Sequence, residues 1–354
     1  MPRVPPLSEL TTLRLGGPAR RFVEARSEEE IVAAVTAADA AGEPLLVLAG
    51  GSNLVVADRG FGGTVLRVAT CGVERSQRGD ERVRLAVEAG ENWDALVGAC
   101  VGDGLAGIEA LAGIPGSAGA TPIQNVGAYG QEVSSVIVAV RALDRVSGEI
   151  RELEPRECGF EYRSSSFKRQ PHRWVVLRVS YELERSALSR PVHYAELART
   201  LGLALGDRAP LGDVRAAVLQ LRRGKGMVLD AADPDSVSAG SFFTNPLLSA
   251  EAFAELQRRV AGLLGDGVSP PGWRRPDGTV KTSAAWLIER AGFARGHGNP
   301  EGIAISYKHT LALTNRGAGT TSELVAIARE IAAGVREASG VELVPEPVLV
   351  GHRW

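Results

Sequence analysis

The sequence predicts an α+β chain of several domains, and three observations carry that prediction. A β-α-β pattern opens it, a run of alternating strands fills its middle, and amphipathic helices dominate its last third. With 354 residues, 44% of them hydrophobic, and domains of roughly 150 residues as the usual unit, two or three domains with separate cores are expected.

The β-α-β pattern comes first. Phe22–Arg26 reads as a strand, Ser27 caps a helix with Glu30 three residues on, Ile31, Val32 and Val35 form its apolar face, and Gly42 ends it. Leu45–Leu48 follows as a second strand and runs into Ala49-Gly50-Gly51-Ser52-Asn53, glycines at the carboxyl end of a strand where open α/β sheets place ligands. A tight turn without a ligand fits these residues equally well.

From Gly63 to about Leu183 the period changes. Strands are predicted at Val65–Val68, Val83–Val87, Ser135–Asp144, Ile150–Leu153 and Trp174–Glu182, with one helix at Trp93–Val101 and a hairpin at Ser147-Gly148. Helices follow at Ala195–Leu201, Leu211–Arg222, Ala250–Leu264, Ala284–Ala291 and Glu323–Ala338, the last behind a Thr-Thr-Ser cap. Residues 268–278, rich in proline and glycine, read as a surface loop, and Val341–Val350 as a closing strand.

Composition excludes several classes of function. A net charge of −2, from 40 basic and 42 acidic side chains, leaves no cationic excess for nucleic acid or an anionic membrane, so any anionic ligand must be met locally. The three cysteines, Cys71, Cys100 and Cys158, are scattered, as suits a reducing compartment. The opening Met-Pro-Arg-Val-Pro-Pro lacks the hydrophobic run of a signal peptide, and a cytoplasmic location is expected. The five histidines show no ligand spacing, so no metal is expected.

The 22 residues from Ala110 to Gln131 carry no charged side chain and hold glycines at 113, 116, 119, 127 and 130. Such a stretch lets backbone N–H groups approach an anion closely. A small-residue packing seam between helices is the alternative, whereas a membrane span is excluded by the glycines, two prolines, Gln124 and Asn125.

Three further clusters have chemical content. Tyr162-Arg163-Ser164-Ser165-Ser166-Phe167-Lys168 sets a guanidinium, hydroxyls and an ammonium between aromatics, suited to a carboxylate or phosphate or to a solvated loop. Ser238-Ala239-Gly240-Ser241-Phe242-Phe243-Thr244-Asn245-Pro246 places a serine beside two aromatics, as a proton donor in a dry pocket or as a local turn. Pro345-Glu346-Pro347 holds a carboxylate in apolar company, either desolvated for acid work or a plain edge charge.

In order along the chain, Gly50-Gly51-Ser52-Asn53-Leu54, then Gly113-Ile114-Pro115-Gly116 through Gln124-Asn125-Val126-Gly127-Ala128-Tyr129-Gly130, then Tyr162-Arg163, Ala239-Gly240-Ser241-Phe242-Phe243, Asn245-Pro246, Trp286-Leu287-Ile288-Glu289 and Pro345-Glu346 together resemble the UDP-N-acetylenolpyruvoylglucosamine reductase family. The resemblance runs from end to end. It implies an FAD-binding fold of the vanillyl-alcohol-oxidase type in two subdomains, residues 1–67 and 68–226, a C-terminal α/β substrate-binding domain over 227–340, and a terminal strand, 341–354, returning to the active site. It implies dissociable FAD, NADPH as hydride donor, and reduction of the enolpyruvyl ether of UDP-N-acetylglucosamine to UDP-N-acetylmuramate.

Residue by residue, the resemblance assigns Arg163, Ser241 and Glu346 to catalysis, with Ser241 as proton donor. It assigns Gly50, Gly51, Ser52, Asn53, Ile114, Pro115, Gly116, Gly119, Gln124 and Gly127 to FAD, and Tyr194, Lys225, Asn245 and Glu289 to substrate. Two alternatives stand beside this: an oxidase of the same superfamily acting on an alcohol or sugar, and a catalytically silent nucleotide-sugar binder.

Overall fold

The computed structural model describes residues 4–265 and 267–354; the Met1–Arg3 opening, part of the segment read above for a signal peptide, lies outside them. The chain forms two compact units. The first comprises Ala19–Gly51 and Phe61–Val228, the second Pro6–Pro18, Ser52–Gly60 and Leu229–Trp354. The expected first division, 1–67, is therefore interrupted twice by segments that pack with the C-terminal part of the chain. The strand Leu54–Val56 accounts for one of them: it pairs in parallel with Val348–Val350, and Val55 is fully buried in the second core.

In the first unit, Ala19–Ala25, Phe61–Val68 and Leu45–Leu48 form a parallel three-stranded sheet with Phe61–Val68 in the centre. The helix Glu28–Ala40 covers it. Its cap is as predicted: Ser27 accepts from the Glu30 amide, and Ile31 and Val35 turn inward. A larger antiparallel sheet follows in the order Glu149–Leu153, Ile137–Asp144, Trp174–Arg185, Arg82–Glu88, Val73–Arg78, with Leu105–Ala106 on the end of Trp174–Arg185. Its apolar face shares one core with the helices Trp93–Gly102, Ala195–Leu201 and Leu211–Gly224.

The second unit has its own core, built on the helices Ala250–Leu264, Ala284–Arg290 and Thr321–Ser339. Ser238–Ser241, Ala312–Asn315 and Ile303–Ile305 make one antiparallel sheet; Leu247–Leu248, Val280–Thr282 and Gly272–Arg274 make another. Gly272–Arg274 lies in the stretch read as a surface loop, and all three of its residues are exposed at an edge. The long helix starts with a full capping box, Thr320 with Glu323, and Asp58 accepts from the amides of Thr321 and Ser322.

The predicted closing strand shortens to Val348–Val350. Pro345 and Pro347 have no N–H to give a ladder, and the segment before them makes only an isolated bridge, Phe243 to Pro345. Glu346 consequently lies on irregular chain rather than in a strand. Among the described residues no helix is long and apolar enough to cross a membrane.

Candidate active site

Gly50 follows the strand Leu45–Leu48 by two residues and lies against the uncharged loop. A Cβ built at Gly50 would stand 2.7 Å from the Gly116 Cα, and Gly116 itself has φ +123, a conformation that favours glycine. The two turns thus touch backbone to backbone, in the close approach that an anion cradle needs. The chain leaves the first unit immediately after Gly51, so Ser52 and Asn53 belong to the second.

The loop is sewn to the strand end behind it. Ala118 and Gly119 donate to the carbonyls of Glu91 and Ala89, Trp93 donates to the Gly116 carbonyl, and the Gly113 amide donates to Asp94 at 2.6 Å. This narrows the expectation that its amides mainly hold a ligand, since those of Gly113, Ala118 and Gly119 serve the fold. For Gly119 the reason for glycine is packing: a Cβ there would overlap the Ala89 Cβ. Two buried polar atoms have no partner among the described residues, Ser117 Oγ in the loop and Arg222 Nε beside it, the latter 3.4 Å from where a Gly113 Cβ would lie.

The loop is also clasped at its ends. Glu109, fully buried, accepts from the amides of Gly107 at 2.6 Å and Arg190 at 2.9 Å and from Gln131 Nε2 at 2.8 Å, while Gln131 Oε1 accepts from Ala110. Replacing this carboxylate orphans one buried and two part-buried donors, at up to about 1–3 kcal/mol each. Glu109→Leu is expected to lower the thermal midpoint by several degrees in calorimetry, and Glu109→Gln, which keeps one acceptor oxygen, by less.

Between Gly127–Ala128 and Gln131–Glu132 runs a two-residue hairpin whose turn residues, Tyr129 and Gly130, both have positive φ, +49 and +87, the geometry of a type I′ turn. Asn125, also left-handed and 1% exposed, donates to Glu132 and to the Glu161 carbonyl and accepts from the Ser134 amide. It thereby joins the loop to the segment that carries Arg163.

Arg163 occupies a tight turn with φ +53, its carbonyl held by Lys168 Nζ at 3.1 Å. Strained backbone of this kind persists where surrounding contacts over-determine it. Its guanidinium donates to the Gly127 carbonyl at 2.6 Å and lies 5.4 Å from the centroid of the Tyr162 ring. The cation is therefore fixed on the rim of the uncharged loop. Ile114, Pro115 and Gln124 lie along the same loop, each partly buried.

The chain just after Ser241 and the chain at Glu346 run side by side in the second unit. The strand Ser238–Ser241 pairs Ser238 with Thr314 and Ser241 with Ala312, so it carries one residue more than its partner. Gly240 takes the bulge with φ +76, and a bulge re-aims the side chain that follows it. Next, Phe242 and Phe243 are buried edge to face, 5.1 Å apart. The Phe242 carbonyl accepts from the Glu346 amide at 2.8 Å, and Asn53 Nδ2 donates to the Glu346 carbonyl at 3.3 Å. Glu346 is half-buried.

Tyr194 and Lys225, 31 positions apart, meet around the hairpin. The Tyr194 ring stands edge-on to Tyr129 at 5.3 Å, and Lys225 Nζ lies 5.8 Å from the Tyr129 centroid and 2.6 Å from Glu196 Oε2. Burial raises both phenols, Tyr129 to about 12, so they stay protonated and able to donate. Asn245 and Glu289 mark opposite ends of the helix Ala284–Arg290, Asn245 from outside it. Asn245 Oδ1 accepts from the Ala284 amide at its start, and the exposed Glu289 accepts from Thr310 at 2.6 Å near its end.

Residue-by-residue reading of the sequence left out Glu109, Gln131, Asn125, Ser117 and Arg222. The charge pattern held one usable signal: the uncharged stretch is bracketed by Glu109 and closes on Gln131, the two partners of the clasp. Among the described residues no three His, Cys, Asp or Glu side chains gather as metal ligands.

Residues 19–154 match an FAD-binding domain family and residues 233–350 the family described as UDP-N-acetylenolpyruvoylglucosamine reductase, C-terminal domain. The chain is 58% identical over 346 residues to the UDP-N-acetylenolpyruvoylglucosamine reductase of Thermobifida fusca, covering 98% of this chain and 97% of that one. It is 57% identical to that of Streptomyces coelicolor, covering 98% and 89%. A crystal structure of the reductase from Thermus caldophilus shares the fold, with a TM-score of 0.64 at 24% identity over 98% of this chain and 99% of that one. With its motifs in the family's order and more than half its residues shared with such relatives across nearly its whole length, the chain belongs to the UDP-N-acetylenolpyruvoylglucosamine reductase family.

Proposed function

We propose that this chain reduces the enolpyruvyl ether of UDP-N-acetylglucosamine to UDP-N-acetylmuramate for peptidoglycan synthesis, with NADPH as reductant and FAD as its dissociable cofactor. One observation carries the assignment of roles: Ser241 follows a glycine bulge in a strand whose continuation is hydrogen-bonded to the backbone of Glu346.

The residues present fit the cofactor. A cradle that a side chain at Gly50 would fill, with Ser117 Oγ in the loop and Arg222 Nε beside it as buried donors lacking partners among the described residues, suits a phosphate-bearing group. FAD, when bound there, supplies the hydride taken from NADPH.

The remaining chemistry belongs to side chains. Hydride arriving at the vinyl CH₂ leaves negative charge on the neighbouring carbon, shared with the substrate carboxylate. Arg163 stabilises that charge as a fixed cation. Glu346, protonated or acting through a water, donates a hydrogen bond without repelling the carboxylate. Ser241 gives its proton to the carbon; a serine is an adequate acid here because the carbanion is strongly basic. Tyr194 and Lys225 take the diphosphate, Asn245 and Glu289 other parts of the nucleotide sugar. The work is that of a cytoplasmic enzyme on a small molecule, without nucleic acid or membrane.

The purified protein is expected to be yellow, to bleach with NADPH under anaerobic conditions, and to recover its colour when the enolpyruvyl nucleotide sugar is added. Bleaching by an alcohol and recovery in oxygen, with no response to NADPH, would instead identify an oxidase.

A further inference from the structure

Lys225 is engaged before any ligand arrives. It follows the helix Leu211–Gly224 as its C-cap, where the negative end of the helix dipole stabilises a cation. Its Nζ is 2.6 Å from Glu196, and both side chains remain accessible, 27% and 33% exposed. Glu196 stands two residues after Tyr194, and Tyr194 and Lys225 converge on the same ring, that of Tyr129. A diphosphate brought to Lys225 therefore meets a carboxylate that already holds it.

From this juxtaposition we infer that Glu196 is a built-in competitor for the diphosphate: it holds Lys225 in the ligand-free protein and reclaims it as the product leaves. The inference rests on Lys225 being a diphosphate contact. Substrate and product carry the same diphosphate, so a competitor weakens both alike. Its benefit is in release, because a group that retakes the lysine lets the nucleotide sugar depart. Glu196 is thus a positioning residue that acts through Lys225. The Lys225 cation is available to a ligand only for the fraction of time that Glu196 lets go, and the apparent affinity falls by that fraction. For a pair about one-third exposed the factor is about 1.5- to fivefold.

Calorimetric titration of the FAD-loaded enzyme with UDP tests this in four proteins: wild type, Glu196→Gln, Lys225→Met and the double variant. Glu196→Gln is expected to bind UDP about 1.5- to fivefold more tightly, and Lys225→Met more weakly than wild type. The double variant should match Lys225→Met, because the carboxylate then has nothing to withhold. In turnover, Glu196→Gln should lower KM and strengthen inhibition by UDP-N-acetylmuramate.

The two readings fail separately. Unchanged UDP affinity in Lys225→Met overturns the diphosphate contact. A weakened Lys225→Met combined with an unchanged or weakened Glu196→Gln overturns the competitor alone, as does equal tightening by Glu196→Gln in both backgrounds. FAD content and thermal midpoint establish that each variant is folded, and Glu196→Ala repeats the test if the glutamine variant is not.

Discussion

A Ser241→Ala enzyme is expected to accept electrons from NADPH at the wild-type rate and then fail to pass them to the enolpyruvyl nucleotide sugar. The substitution removes one oxygen and nothing that holds the strand: Gly240 still forms the bulge, and Phe242 and Phe243 still anchor the segment in the core. Losing a positioned general acid costs about 10²- to 10⁴-fold in rate. The deficit should appear wholly in the second half-reaction, followed by stopped-flow absorbance as reoxidation of the flavin by substrate. UDP should bind as before, since Tyr194 and Lys225 lie elsewhere in the chain. Ser241→Cys, which keeps an acidic proton at nearly the same place, should recover part of the lost rate. Normal turnover in the alanine variant would remove Ser241 from the mechanism.

How much of this was legible in the sequence depends on the physics of each element. The helices Ala195–Leu201 and Ala250–Leu264 and the strand Leu45–Leu48 form over the residues read for them, because apolar period, caps and breakers agree there. The edge strand Val73–Arg78 was invisible: most of its residues are exposed, so no alternation marks it. The closing strand was overextended because its apolar residues outvoted two prolines that cannot pair. Leu54–Val56 is too short to announce itself, and its partner lies nearly three hundred residues away. That pairing moves Ser52 and Asn53 out of the β-α-β unit to which the local pattern had attached them.

In the site, chemistry was easier to read than support. Arg163, Ser241 and Glu346 can be proposed from the sequence because the family's motifs point to them. Asn125 and Glu109, which hold the loop by hydrogen bonds to distant backbone, leave no periodic trace. Even the uncharged stretch proved to be two devices. Its glycines at 113, 116 and 119 form the part sewn to the strand end, while those at 127 and 130 form a hairpin that carries the Arg163 contact and presents Tyr129 to Lys225. A substitution at Gly127 would therefore press on Glu132 and on Arg163 as well as on the loop.

Gly50→Ala isolates the cradle, and the expected result is a folded protein purified with little FAD. The added methyl would lie 2.7 Å from the Gly116 Cα, and that backbone is poorly free to yield, since Trp93 donates to the Gly116 carbonyl at 3.2 Å and the next two residues but one are bonded to Glu91 and Ala89. Overpacking of this kind costs about 1–3 kcal/mol. Without cofactor the Gly50 turn, the less tied of the two, can relieve it by moving slightly off the loop. To bind FAD the two must close again, so the cost falls on the cofactor equilibrium as roughly a 5- to 150-fold rise in Kd, measurable by reconstituting the stripped protein while following flavin fluorescence. Gly62→Ala is the control, because a Cβ at that position meets nothing within 4 Å, and it should retain FAD as the wild type does. If Gly50→Ala kept its FAD and lost only UDP binding, the Gly50–Gly116 contact would belong to the substrate and not to the cofactor.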